Sequence, residues 1–363
     1  MADQIYLLLL SHQLGCHFLR PDWLREKYNS LSRRILGGLD SRLTLSARKR
    51  KLSGFLFCIR GDENTRAGVH NQQSRQNSPT TDNQKHPFIV ITKSKAMTYL
   101  WILLAVALTT SAVGWIYFIY FFSIGYGLSI AALATATTII FSDTITPPAT
   151  IFCCILFIYG IRLAGYLFVR EKKSPSYKKI LYQPDTKEHK PLLTMLLIWG
   201  SCALLYVGQI SPITFYLHNL PQETDTSTAW LWVGTTVAFT GFLIETIADT
   251  QKSMAKKRAP GSFVSTGLYR IVRCPNYFGE ILLWSGSFII CFDTDCTPWQ
   301  WIIASLGYIG IIYVMFSGAR RLELRQQESY GKSPTFQAYI HHRPLLIPFL
   351  PIYSLAKQKW LKA

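Results

Sequence analysis

The pattern of hydrophobic and polar positions changes abruptly near residue 97. Before that point, short apolar runs alternate with polar and basic stretches, and the segment from Asp62 to Lys85 is rich in Asn, Gln, Ser, Thr and Gly. A segment of this composition cannot bury enough apolar surface to offset the entropy of ordering it. We therefore predict that residues 1–96 are a basic, disordered or non-native extension. Residues 97–363, beginning at Met97, are expected to be the working domain.

Seven apolar runs follow Met97, and each approaches the roughly 20 residues that a helix needs to cross a hydrocarbon core about 30 Å thick. They are Thr98–Phe122, Ile124–Phe141, Thr150–Phe168, Leu192–Tyr216, Trp230–Ile247, Phe278–Phe292 and Trp299–Ser317. The pattern predicts an all-α fold, a polytopic integral membrane bundle of about seven transmembrane helices. Six are possible if the first two adjoining runs form one bent helix.

Charge predicts how this bundle is oriented. The chain carries a formal net charge of +18, although 49% of its residues are hydrophobic and only 16% are charged. Every Lys and Arg after Met97 lies in Arg162–Lys190, Lys252–Arg273 or Arg320–Lys362. The charged residues of the alternate loops are all acidic. Basic loops stay on the cytoplasmic side, so we expect a multi-pass protein with a cytoplasmic C-terminus. Membrane orientation accounts for the charge, and nucleic acid is not an expected partner.

The same rule raises a conflict at the N-terminus. With seven spans and a cytoplasmic C-terminus, the segment before the first span would lie outside, yet residues 1–96 are strongly basic. Either the first two runs form one span, or the first 96 residues are not native. The second explanation is favoured.

Metal chemistry is not indicated. The eight cysteines form no C-x-x-C pair and have no histidine at zinc-site spacing. His341 and His342 are adjacent, so on a helix their side chains would point about 100° apart. No metal site is therefore expected.

A first polar constellation ends the fifth apolar run. Glu245 and Asp249 share one helical face, and Lys252 continues the stripe. Ionisable groups at membrane depth are costly and are usually functional, although lysines near a helix end can also reach the interface by snorkelling. The stripe is a candidate site.

A second constellation is the run Gly267–Glu280. Pro275 suits the first turn of a helix, and Arg270 and Arg273 would lie beside the helix N-terminus, which attracts phosphate. Asn276 and Glu280 share a face of the predicted helix. The alternative is a structural helix cap with interfacial residues, which would not explain a polar pair on the way into a span.

These residues also carry a resemblance. The runs Gly241–Lys252 and Gly267–Glu280, ending in Asn-Tyr-Phe-Gly-Glu, resemble the C-terminal part of the steroid 5-alpha-reductase-like membrane proteins, in their bacterial branch. Tyr339 and Pro348 in the tail fit as well, so the resemblance covers about residues 150–352. It implies a bundle of about seven helices that holds NADPH from the cytoplasm. It also implies reduction of an activated carbon–carbon double bond in a lipid-like substrate, between the helices.

The cofactor-binding residues expected on this basis are Glu245, Asp249, Lys252, Arg270, Arg273, Asn276, Tyr277, Glu280, Tyr339 and Arg343. Cys274 departs from the pattern, because many members of the family have His there. The Glu/Tyr pair that binds the substrate ketone in the steroid enzymes cannot be located. Tyr117, Tyr120 and Tyr126 are available phenols, but nothing in the sequence selects among them, so no catalytic residue is assigned.

Two other classes stay open. Isoprenylcysteine-type membrane methyltransferases, which use S-adenosylmethionine, share part of the arginine-proline-tyrosine loop. Their tail, however, has a glutamate pair where this chain has Glu323 alone. A non-catalytic membrane protein that retains the fold would also tolerate a polar stripe beside basic loops.

Overall fold

The computed structural model describes residues 85–173, 191–220 and 228–361, with side chains from Lys95 onward. Eight α-helices occur in this described part. They are α1 (Lys85–Ser111), α2 (Ile124–Ile140), α3 (Pro147–Lys173), α4 (Leu192–Asn219), α5 (Ala229–Arg258), α6 (Pro275–Ile289), α7 (Pro298–Tyr330) and α8 (Pro334–His342). Residues 1–84, most of the predicted extension, lie outside the described residues. Helix α1 begins upstream of Met97.

The prediction of an all-α, multi-pass membrane bundle is confirmed. Within the described residues, six helical stretches are long and apolar enough to cross a membrane. They are Lys95–Trp115, Phe118–Ile140, Pro147–Lys173, Leu192–Asn219, Ala229–Arg258 and Pro298–Tyr330. The remaining predicted run, Phe278–Phe292, corresponds to α6 and the 3-10 turn after it, and α6 has only 15 residues. Helices form here because lipid offers no hydrogen bonds to an unpaired backbone.

The first two apolar runs form two helices and not one bent helix. α1 ends at Ser111 and α2 begins at Ile124, with short 3-10 turns between them. Tyr117 has an extended backbone (φ −141, ψ 125), which ends helical continuity. The two runs therefore count as separate spans.

The ends of the helices separate by charge. Basic residues lie in the last turns of α3 and α5 and, as Arg320, Arg321 and Arg325, in the C-terminal third of α7, and we call this side of the bundle the basic end. Helix α1 runs antiparallel to α4, because the Tyr99 and His218 ring centroids are 5.7 Å apart while Trp199 Nε1 donates to the Leu108 carbonyl at 3.1 Å. The side chains near Met97 thus lie at the opposite end.

Two helix pairs pack closely through small residues. A Cβ at Gly279 of α6 would lie 2.6 Å from the Gly241 carbonyl of α5, and one at Gly160 of α3 would lie 2.7 Å from the Ala131 nitrogen of α2. Only residues without a large side chain allow such backbone approach, a common device in membrane bundles. This packing sets the positions of the polar side chains on α2, α3, α5 and α6.

Candidate active site

An ion-pair cluster joins α3 to α5 inside the bundle. Arg162 of α3 pairs with Glu245, and its Nη1 lies 3.0 Å from Asp249 Oδ2. The side chains of the two acids are only 4% and 9% exposed. Buried carboxylates need such a counter-charge, so Arg162 is what allows the predicted acidic stripe to exist at membrane depth.

A hydrogen-bonded hub centred on Tyr126 lies next to this cluster. The Tyr126 hydroxyl donates to Glu280 Oε1 at 2.8 Å. Its oxygen also accepts from Trp284 Nε1 at 2.9 Å and from the Tyr159 hydroxyl at 3.4 Å. All four side chains are buried. The Tyr126 hydroxyl thus both donates and accepts hydrogen bonds, and it joins α2 to α3 and α6.

Both clusters border one cavity of about 680 Å³. Its wall toward the basic end carries cationic and polar side chains: Lys252, Lys256, Asn276, Arg321, Arg325 and Gln326. Its other wall is mainly apolar: Ile119, Phe122, Leu163, Leu205, Leu306 and Val314. Leu306 is 65% exposed and lies on α7, which is long and apolar enough to cross a membrane, so the cavity is open at a side chain of a candidate span. A large cavity with convergent polar groups is the usual form of a ligand site.

The loop before α6 is held by local hydrogen bonds. Gly267 has a positive φ of 63°, and the following N–H, of Leu268, donates to Gln251 Oε1 at 2.8 Å. Asn276 then enters the cavity wall with a buried Oδ1 atom that has no hydrogen-bond partner among the described residues. A buried, unbonded carbonyl oxygen of this kind suits a ligand that donates a hydrogen bond.

The cavity collects six of the ten residues expected from the sequence: Glu245, Asp249, Lys252, Asn276, Tyr277 and Glu280. Their contact with a cofactor stays a prediction. The other four, Arg270, Arg273, Tyr339 and Arg343, are not among the residues that line it.

Arg273 has a different set of contacts from the phosphate contact expected of it. It is 2% exposed, its Nη1 donates to the Tyr353 carbonyl at 2.9 Å, and the same atom lies 3.7 Å from Glu323 Oε1. Glu323 in turn accepts from the Leu355 N–H at 2.8 Å. These contacts hold the C-terminal segment, residues 344–361, against α7.

The remaining three have structural or surface positions. Tyr339 donates to the Tyr269 carbonyl at 2.7 Å, Arg270 is exposed, and Arg343 follows the end of α8. Burial raises the pKa of the Cys274 thiol to about 12. The thiol is therefore neutral at physiological pH.

Sequence reasoning missed Arg162 as a site residue and could not choose among the three phenols. A signal for Arg162 was present, because it is the one charged residue inside the predicted span Thr150–Phe168. Tyr126 had no such signal. Its selection depends on α2 packing against α3 and α6, which only the structure reveals.

The fold and the cavity define a polytopic helical membrane protein with a buried polar site. The family model described as "Protein of unknown function (DUF1295)" matches residues 121–342, and the chain belongs to this steroid 5-alpha-reductase-like family. Among curated proteins it is similar to steroid 5-alpha-reductase DET2 of Arabidopsis thaliana, with 32% identity over 85 residues. That match covers 22% of this chain and 29% of the relative's length. No solved structure matches the chain.

Proposed function

We propose that the protein is a membrane-embedded, NADPH-dependent reductase that reduces an activated carbon–carbon double bond in a lipid-like substrate. The observation that carries the proposal is the Tyr126 hub at the junction of a polar and an apolar cavity wall. Family membership and the similarity to a steroid 5-alpha-reductase support the same class of reaction.

The polar wall would hold the cofactor. Lys252, Lys256 and Arg325 supply positive charge for phosphate groups, and the free Oδ1 of Asn276 is available to a carboxamide N–H. NADPH, when bound, supplies the hydride, and the protein contributes orientation and electrostatics. Lys256 is already positioned, because its Nζ donates to the Ser262 carbonyl at 2.6 Å and to the Tyr330 hydroxyl at 2.9 Å.

Tyr126 would polarise the substrate carbonyl. Its hydroxyl now donates to Glu280 and would turn this donor to the carbonyl oxygen of the substrate. The Trp284 N–H would then stabilise the negative charge that develops on the phenol oxygen. Arg162 keeps Glu245 and Asp249 compensated, so that their charge does not oppose this step.

The apolar wall would accommodate the lipid. Leu306 and Leu205 line the cavity, on α7 and α4, and Leu306 is largely exposed on a candidate span. A hydrophobic molecule could therefore reach the cavity from the bilayer and avoid the aqueous phase.

The orientation belongs to the same proposal: the basic end faces the cytoplasm, where NADPH is available, and the C-terminus is cytoplasmic. In a variant lacking Cys296, a cysteine replacing Asp295 should react with an impermeant thiol reagent added outside intact cells. A cysteine replacing Lys257 should not react. Labelling of Lys257→Cys from outside would overturn this orientation.

The reaction can be tested with purified protein. Wild type should bind NADPH and consume it with long-chain or steroidal enones, and Tyr126→Phe should reduce turnover by about 10²- to 10⁴-fold, the usual contribution of a proton donor. Tyr117→Phe is the matched control, because that phenol packs against Tyr120 and does not line the cavity. Binding of S-adenosylmethionine in place of NADPH would replace the proposal with the methyltransferase class. Binding of neither would leave a non-catalytic protein.

A further inference from the structure

A carboxylate that the proposed reduction does not use lies in the cavity wall near the end of α3. Glu171 is 1% exposed and lines the cavity. Among the described residues, neither of its carboxylate oxygens has a hydrogen-bond partner. Burial of such a group without a partner is costly, so a ligand in the cavity is the natural source of the missing hydrogen bonds.

The neighbouring arginine makes no hydrogen bond to this carboxylate. The guanidinium carbon of Arg170 lies 5.8 Å from the Tyr166 ring centroid, and its positive charge acts on Glu171 in the same cavity wall. Glu171 also has the Ser123 hydroxyl beside it, and that hydroxyl donates to the Ile119 carbonyl at 3.1 Å. The single Ser123 proton is therefore engaged, and the Glu171 carboxylate keeps acceptor positions open to a ligand.

The cavity wall on the segment before α2 and on α4 is mainly apolar. It includes Ile119, Phe122, Cys202 and Leu205, together with Ser201 and Tyr206 of α4. A fully solvated cation or a phosphate would not suit such walls. A hydrocarbon that ends in one hydrogen-bond donor would suit them, because its chain is buried while its polar group is satisfied.

The distance from the hub sets the shape of the ligand. Tyr159, which contacts Tyr126 at the hub, and Glu171 are both on α3, about 18 Å apart along its axis. The geometry points to Glu171 as the binding site for a hydroxyl or amino group at the far end of an elongated lipid-like substrate. The placement of the reducible end at Tyr126 rests on the proposed function.

Three linear long-chain enones of matched length test this assignment, with a terminal methyl, hydroxyl or amino group. Their binding to the purified protein is measured by thermal stabilisation, which does not depend on turnover. Wild type should bind the hydroxyl or the amino probe about 10- to 100-fold more tightly than the methyl probe, as expected for a hydrogen bond to a charged group. Equal binding of all three, or no binding of either polar probe, would overturn the inference.

Variants separate a ligand-binding role from a structural one. Glu171→Leu should abolish the preference and raise the thermal stability of the ligand-free protein, because an unpaired buried polar group is removed. Glu171→Gln keeps an acceptor, so it should retain part of a hydroxyl preference and lose a preference for the amine. Comparing Glu171→Gln with Glu171→Leu therefore distinguishes a ligand hydroxyl group from a ligand amino group. Glu328→Leu, at an exposed position of α7 outside the cavity wall, controls for the change in charge.

Two failures can be told apart. If Glu171→Leu lowers stability and leaves the preference unchanged, Glu171 is structural and the inference is wrong. If the preference is present but NADPH is not consumed with any probe, the proposed reduction fails and the Glu171 site stands.

Discussion

The α2–α3 and α5–α6 helix pairs have the same kind of packing and opposite chemistry where they meet. Both pairs approach closely through glycines. At their contact the α2–α3 pair contributes two phenols and a cation, Tyr126, Tyr159 and Arg162, whereas α5–α6 contributes carboxylates. Alone, the cation and the carboxylates that it pairs with would be buried charges without a counter-charge. The difference shows that the site is assembled when the two pairs dock, so stability and function are shared across that contact.

The largest expected effect is the removal of the cation that joins the pairs. Arg162→Leu leaves Glu245 and Asp249 buried without compensation, and we expect it to lower the free energy of unfolding by about 3–5 kcal/mol. Denaturant unfolding in detergent would measure this. Adding Glu245→Gln and Asp249→Asn to the same chain should restore part of the loss. A single variant as stable as wild type would show that the pairs do not depend on this contact.

A smaller effect is expected from closing the gap inside one pair. In Gly160→Ala the new methyl group would lie 2.7 Å from the Ala131 nitrogen, so α2 and α3 must separate, at about 1–3 kcal/mol. Gly165→Ala is the control on the same helix, because nothing lies within 4 Å of its Cβ position. That change should be neutral or stabilising by up to about 1 kcal/mol. Equal stability of the two variants would mean that the packing is looser than described.

Substitution of the two arginines before α6, Arg270 and Arg273, should change the free energy of unfolding by different amounts, because only Arg273 is buried. Arg273→Met deprives buried Glu323 of its ion pair and releases the Tyr353 carbonyl, with an expected loss of about 1–3 kcal/mol. It should also make residues 344–361 more sensitive to protease. Arg270→Met changes an exposed residue and should alter stability by less than about 0.5 kcal/mol. If Arg270 attracts cofactor phosphates as predicted, this variant will weaken NADPH binding at low salt and less so at high salt.

The smallest effect is expected from removing the N-terminal extension. A chain that starts at Met97 should insert in the membrane and bind ligand like the full chain, because the cavity and both helix pairs lie after that residue. Membrane fractionation and NADPH binding would measure this. Loss of insertion would show that the preceding residues, including the start of α1, belong to the working protein.

The helix bundle was predictable because its cause is local. A run such as Leu192–Tyr216 must form a helix in lipid whatever surrounds it, and α4 contains that run in full. The sequence favoured two separate spans here, but the end of α1 at Ser111 was not predictable, because both sides of Tyr117 are equally apolar.

The acidic residues of the candidate site were predictable from the sequence, but its tyrosines were not. Glu245, Asp249 and Glu280 stand out as acids in or beside apolar runs, and the structure brings them to one cavity. Tyr126 and Tyr159 do not stand out, since tyrosines are frequent in membrane helices, and their role depends on which helices meet. The contacts of Arg273 could not be predicted either. Its position beside Pro275 indicated phosphate binding, which stays a prediction, and its hydrogen bond to the Tyr353 carbonyl comes from a distant segment of the chain.

The shortness of α6 has a consequence for the loop before it. At 1.5 Å per residue its 15 residues span about 22 Å, against a hydrocarbon core of about 30 Å. The four-residue 3-10 turn that follows, at about 2 Å per residue, brings the segment to about 30 Å, and its Asp293 carboxylate accepts from the Leu231 N–H at the start of α5. The N-terminus of α6 therefore lies at the edge of the hydrocarbon core at the basic end, where the Arg273 and Cys274 N–H groups are bonded to the Pro344 and Leu345 carbonyls. A loop whose backbone is satisfied in this way can lie at that boundary without exposing unpaired peptide groups to lipid.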